Sequence, residues 1–183
     1  LELRKILEKL GHHFTTQSDT EVLLNSYMEW GVECVEKFIG MFAFAIYDNR
    51  LSELIIFRDQ LGIKPVYFTF VENNFFFSSE IKPFIKVNPL HLNSDKLIEY
   101  TSSGSILGPE TLFKNIRELE PGCYVRVDSN FNLKNFQYFN IADTFSHIND
   151  QFDINDLEES VDKSIASHMI CDVDYGVQLS GGV

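Results

Sequence analysis

The chain is 183 residues long, which suits one domain or one domain and the edge of a second. With 44% hydrophobic and 23% charged residues, its composition is that of an ordinary globular protein. A formal net charge of -12 argues against nucleic-acid binding through a basic surface, and the absence of an apolar run of spanning length argues against a membrane partner.

In "LELRKILEKLG", Leu3, Ile6, Leu7 and Leu10 share one helical face that Gly11 ends. "SDTEVLLNSYMEWG" opens on a capping box in which Ser18 accepts from the amide of Glu21 and the Glu21 carboxylate reaches back. Val22, Leu23, Tyr27 and Trp30 then form an apolar stripe closed by Gly31, and "VECVEKFIG" reads as a second short helix. From Gly40 the period becomes strand-like. "MFAFAIYD" is almost continuously apolar, as for a strand buried on both faces. Asn49 and Arg50 turn the chain into "ELIIFRD"; "PVYFTF" and "NFFFSSEI" follow around "VENN". Four adjacent strands read as an antiparallel meander, and the helices before them make this an α+β layered domain.

A helix is predicted at "SDKLIEYTSS", and a hairpin of "CYVRVD" and "LKNFQYF" after the Pro121-Gly122 turn. "NIADTFSHINDQFD" is rich in Asn and Asp and reads as a linker. Beyond it, Leu157, Val161, Ile165 and Met169 share a helical face. The alternation of "VDYGVQL" then predicts a strand that runs into Ser180, Gly181 and Gly182. Such a turn presents backbone amides with no Cβ in the way, which is half of a phosphate cradle; a helix N-terminus supplies the other half.

Single residues say less. Arg58 and Asp59 read as a buried or half-buried ion pair locking a turn fixed by Gly62 and Pro65; Glu80 and Lys82 invite a similar structural reading. Asp19 stands in the first turn of its helix, where the dipole favours a negative charge; taken alone it reads as a helix-capping group. His12 and His13 stand beside a helix end, where a surface or capping role outweighs metal binding. His91, His147 and His168 have no partner at metal spacing. Cys34, Cys123 and Cys171 lack CxxC spacing, so zinc ligation is not expected, and their odd number fits a reducing cytoplasm.

The segments "SDTEVLLNSYMEWG", "GMFAFAIYD", "RDQLGIKPVYF", "FFSSEIK", "LEPGCYV" and "VDYGVQLSGGV" occur in this order in glutamine-hydrolysing asparagine synthetases, and the chain resembles that family over nearly its whole length. The resemblance implies an α+β fold: over residues 1–145, a partial αββα N-terminal-nucleophile sandwich of antiparallel sheets, a type 2 glutamine amidotransferase domain without its first part. Residues 146–183 would be the first helix and strand of an α/β ATP-pyrophosphatase-type synthetase domain, cut within the SGGxDS loop. In the family, an N-terminal cysteine releases ammonia from glutamine with its own amino group as base. ATP with Mg²⁺ then activates the aspartate β-carboxylate as an acyl-adenylate, and ammonia arriving through an internal tunnel makes asparagine.

On this resemblance the nucleophilic Cys lies upstream of Leu1, no catalytic residue is present, and the fragment alone is expected to be inactive and poorly stable, with aggregation-prone strand edges. Asp19 would bind the α-ammonium group of glutamine. Leu179, Ser180, Gly181 and Gly182 would bind ATP, Leu179 near the adenine and the others facing the phosphates. Met41 and Ile63 would line the ammonia tunnel, where an apolar wall suits neutral ammonia; ordinary core packing is the other reading of the same positions. The expected cofactors are ATP and Mg²⁺, the expected substrates glutamine and aspartate, and family members often form homodimers. Two alternatives stand beside this: a relative that amidates another carboxylate such as a sugar acid or peptide, and a non-catalytic glutaminase-like module; β-lactam synthetases are similar in plan but have lost the nucleophile.

Overall fold

The computed structural model describes residues 2–145, 153–171, 173–178 and 181. The chain divides into two compact units, Leu1–Ile141 and Ala142–Val183.

The first unit opens with helix α1 (Glu2–Lys9), of which Leu7 is buried, and helix α2 (Asp19–Trp30), which buries Ser26 and Tyr27. The second short helix is a 3-10 segment, Gly31–Lys37, that buries Cys34 and Val35. Strands β1 (Ala43–Asp48), β2 (Glu53–Arg58), β3 (Tyr67–Val71) and β4 (Asn74–Ser78) follow, then α3 (Ser94–Ser103), β5 (Arg117–Glu118), β6 (Cys123–Val127) and β7 (Leu133–Gln137). All pairings are antiparallel, in a four-stranded sheet of order β1-β2-β6-β7 and a three-stranded sheet of order β4-β3-β5.

This order overturns the meander. The four strands after Gly40 form two hairpins in different sheets, because β2 has β1 on one edge and β6 on the other and leaves no edge for β3. Residues 59–66 carry the chain from one sheet to the other.

The near-continuous apolar run of β2 has its explanation in the layering. Ile55 and Phe57 face the helices, in a cluster with Tyr27, Cys34, Val35 and Ile46. Ile56 faces the second sheet, in a cluster with Val66, Phe68, Leu119, Cys123 and Val125. Helices, first sheet and second sheet are thus three stacked layers with apolar packing at both boundaries. Each fully buried side chain contributes roughly 1.5–3 kcal/mol relative to exposure. Phe57 also stacks on Phe44, ring centroids 4.7 Å apart, and lies 5.1 Å from Tyr124. Strand β1 departs from the expectation of burial on both faces. Its Phe44 and Ile46 pack toward the helices, but Ala45 and Tyr47 on the other face are exposed, since the cover from the second sheet gives out there.

In the second unit, the expected amphipathic helix is α5 (Ile154–His168), capped by Asp153, whose side chain accepts from the Asn155 amide. A short helix, α4 (Ile141–Phe145), occupies the start of the predicted linker; residues 146–152 of that linker lie outside the described residues. The predicted terminal strand is not found. Residues 173–178 carry no strand, and Val173, Tyr175 and Val177 are all exposed. Alternation alone cannot make a strand without a neighbouring strand for its amides and carbonyls, and none is present among the described residues of that unit.

Candidate functional site

The first candidate locus is the N-terminus of α2. Ser18 caps the helix by accepting from the Thr20 amide at 3.1 Å. The expected reciprocal box is displaced: the Glu21 amide donates to the Ser18 carbonyl, while the Glu21 carboxylate turns to the two threonines before the cap. It accepts from the amides of Thr15 and Thr16 at 2.8 and 2.7 Å and from their hydroxyls at 3.0 and 2.7 Å. Four donors there outbid the single Ser18 amide, which donates to the Thr16 hydroxyl instead. The Thr16 hydroxyl first, then the two amides, hold the Glu21 carboxyl down at about 2. Arg4 adds a bond to the Thr16 carbonyl at 2.8 Å, tying this loop to α1.

Asp19 is therefore the first helical residue after a clamped loop. It is exposed, and its carboxylate has no hydrogen-bond or ion-pair partner among the described residues. A carboxylate so placed is favoured by the helix dipole and is open to a cation. His12 does more than cap α1. Its Nε2 lies 2.8 Å from the Glu29 carboxylate and its Nδ1 3.2 Å from Asn25 Oδ1, so it ties the α1–α2 connection to the side of α2. The spacing from His12 to Asn25 and Glu29 gave no sign of this; only Asn25 and Glu29, four apart on one helical face, carry a legible signal.

The second locus is the turn from β2 toward β3. Arg58 and Asp59 are both buried, at 6% and 1% exposure, but they do not pair with each other. Asp59 accepts from three backbone amides, Leu61 at 3.2, Ile63 at 2.9 and Lys64 at 3.0 Å. Arg58 donates to the carbonyls of Lys64, Gly62 and Leu119 and forms its ion pair with Glu118 on β5 at 2.8 Å. Successive residues on a strand point to opposite faces, so neighbours at a strand end reach different partners. The Arg58–Asp59 pairing read from the sequence is corrected accordingly. Glu118 was missed: a two-residue strand leaves no pattern.

Met41 and Ile63 come from different segments that the structure ties together. The Asp59 amide donates to the Phe42 carbonyl at 2.9 Å, and Gln60 Nε2 to the Phe38 carbonyl at 3.0 Å. Met41 is 42% and Ile63 47% exposed, so neither is filled-in core within this unit. At the far end of β1, the hairpin is fixed by buried Asp48, which accepts from the Tyr27 hydroxyl at 3.0 Å and from Arg50 Nε and Nη2 at 3.0 and 2.7 Å. Arg50 holds the Asp48 carboxyl well below the usual carboxylate range, and burial, then Asp48, pushes the Tyr27 hydroxyl up to about 12.

Of the four residues expected to meet ATP, Leu179, Ser180 and Gly182 lie outside the described residues. Gly181 has φ +71, and a Cβ built there would meet nothing within 4 Å. That left-handed backbone is one a glycine adopts without strain.

Against known proteins, the family model for the glutamine amidotransferase domain matches residues 1–139. The chain belongs to that family. Asparagine synthetase [glutamine-hydrolyzing] 1 of Bacillus subtilis (strain 168) is 34% identical to this glutamine amidotransferase chain over 188 residues, 100% of this chain and 29% of the relative. Asparagine synthetase B [glutamine-hydrolyzing] of Escherichia coli (strain K12) is 31% identical over 178 residues, 94% of this chain and 26% of the relative. The chain thus spans under a third of the length of these relatives. Among solved structures, the glutamine phosphoribosylpyrophosphate amidotransferase of B. subtilis complexed with ADP and GMP aligns with a TM-score of 0.54 at 23% identity, over 75% of this chain and 26% of that one. That likeness shows the amidotransferase fold, in keeping with the sandwich expected from the sequence.

Proposed function

We propose that this amidotransferase chain serves glutamine-dependent asparagine synthesis, supplying part of the glutaminase side and the beginning of the synthetase side. The observation that carries this reading is the extent of the likeness: relatives named asparagine synthetases align over the whole chain, beyond the amidotransferase match that ends at residue 139. In this reading Asp19 pairs with the α-ammonium group of glutamine; its exposed, unpaired carboxylate at a dipole-favoured position supports that role.

Met41 and Ile63 form part of the wall along which ammonia passes toward the synthetase site. Their exposed apolar side chains on cross-tied segments support this, because an apolar wall leaves ammonia neutral and nucleophilic. ATP with Mg²⁺, held in part by the turn at Gly181, would supply activation of the aspartate carboxylate, and aspartate is the proposed acceptor.

The test is to express the intact gene product and measure asparagine formed from aspartate, glutamine and ATP. Glutamine-dependent asparagine formation that Asp19→Asn weakens through a higher KM for glutamine, with ammonia-dependent synthesis untouched, supports the reading. Glutamine hydrolysis with ATP-dependent amidation of a different carboxylate refutes aspartate as the acceptor, and absence of glutamine hydrolysis refutes the whole reading.

A further inference from the structure

The segment that presents Ile63 is held more firmly than an exposed turn requires. Its amides at Leu61, Ile63 and Lys64 all donate to Asp59, and its carbonyls at Gly62 and Lys64, on either side of Ile63, both accept from Arg58. Gly62 has φ +67, and a Cβ there would stand 2.8 Å from Pro121 Cγ and 3.0 Å from Arg58 Cζ, so the turn is closed onto the guanidinium. Yet the side chains at its tip, Leu61 and Ile63, are exposed apolar groups that gain nothing from this rigidity within the unit. Burying two ions to fix six residues is a poor route to stability, since ion desolvation and backbone ordering both oppose it. The arrangement makes sense if the geometry of the tip is what matters.

Among the described residues, Glu118 is the carboxylate that pairs with the buried Arg58, and it arrives from β5, far along the chain. We infer that Glu118 is a positioning residue for the ammonia path: through Arg58 it fixes the turn that presents Ile63 beside the Met41 segment. This rests on the proposed reading of Ile63 as tunnel wall. With Glu118 neutral, Arg58 loses its ion pair and becomes an uncompensated buried cation, which favours its movement toward water and release of the Gly62 and Lys64 carbonyls. The site tolerates the change sterically, because Glu118 borders a cleft of about 200 Å³ shared with Arg58, Gly108 and Pro121.

The experiment compares Glu118→Gln, Glu118→Asp and Ile63→Asp in the intact gene product, recording glutamine hydrolysed, asparagine formed, and asparagine formed from added ammonia. Glu118→Gln should lower asparagine formed per glutamine hydrolysed by about fivefold, with glutamine hydrolysis and ammonia-supported synthesis each within about twofold of wild type. Glu118→Asp, which keeps the charge, should restore most of that ratio. An unchanged ratio in Glu118→Gln, or a parallel fall of all three activities, overturns the inference. If Ile63→Asp loses the ratio while Glu118→Gln keeps it, the inference alone fails. If Ile63→Asp leaves the ratio intact, the tunnel-wall reading fails and takes the inference with it.

Discussion

Gly122→Ala should be among the most damaging single-methyl changes in this protein, and the structure separates its cost into parts. Gly122 has φ +64, and its added Cβ would lie 2.3 Å from the Phe139 carbonyl oxygen and 3.1 Å from its carbon. The left-handed backbone costs an alanine about 1 kcal/mol. The contact is about 1 Å too short, and its partner is backbone that cannot rotate away. Phe139 is moreover bound back to Gly122, whose carbonyl accepts from the Tyr138 and Phe139 amides at 2.9 and 3.1 Å. Displacing it adds overpacking of about 2 kcal/mol and about 1 kcal/mol for a lost hydrogen bond. The sum is about 4 kcal/mol, a large part of the whole stability of a typical domain. Gly104→Ala is the control: φ +75 at the end of α3, with nothing within 4 Å of its Cβ. It should cost only the conformational term, about 1 kcal/mol. Urea unfolding followed by the fluorescence of Trp30, the single tryptophan, packed against the helix-side cluster, reads both variants in one protocol. Costs for the two variants within about 0.5 kcal/mol of each other would refute the steric argument.

Tyr27→Phe removes the hydroxyl bond to buried Asp48 while Arg50 still neutralises that carboxylate, so urea unfolding should show a loss of about 1.5 kcal/mol. Because the folded state holds the Glu21 carboxyl at about 2, below its unfolded value near 4.3, its clamp on Thr15 and Thr16 stabilises above that value and is lost as pH falls toward 2. Thermal midpoints across that interval should fall less steeply for Glu21→Gln than for wild type; parallel profiles would assign the acid sensitivity elsewhere. Cys34 and Cys123 are buried, and burial pushes their thiols up to about 12 and about 11, whereas Cys171 is exposed. A thiol reagent should therefore modify Cys171 quickly in the native protein and the other two only on unfolding; early modification of all three, mapped by mass spectrometry, would contradict the described packing.

What the sequence disclosed follows from which interactions are local. The α2 stripe of Val22, Leu23, Tyr27 and Trp30, the strands β1 to β4 and the β6–β7 hairpin were legible because periodicity and turn residues act over a few positions. The assignment of β2 and β3 to different sheets was not, because it depends on β6 occupying the edge of β2. Long-range pairing leaves no mark near Arg58. The same limit applies at the site. Buried Arg58 and Asp59 were legible as charged residues beside Gly62 and Pro65, but their partners were not: Asp59 binds amides, which every residue carries, and Arg58 binds a glutamate on β5. Glu21 was recognised as a capping residue, but competition from Thr15 and Thr16 moved its bonds. The terminal strand has its pattern but no neighbouring strand among the described residues of its unit.

The pairing of β2 with β6 also sets a timetable. Strand β2 ends at Arg58 and β6 begins at Cys123, about 65 residues later, or between about 3 and 13 seconds of synthesis at ordinary elongation rates. During that interval the β1–β2 hairpin can form, but the strand with the most buried residues in the first sheet has one edge unsatisfied. The layer that will cover Ile56 is likewise incomplete, since Val125 and Leu119 belong to it. Closing so long a loop is entropically slow even once its far end exists. The nascent chain therefore carries its most self-adhesive strand uncovered for seconds, and crowding by neighbouring copies does most harm before Val127 is made.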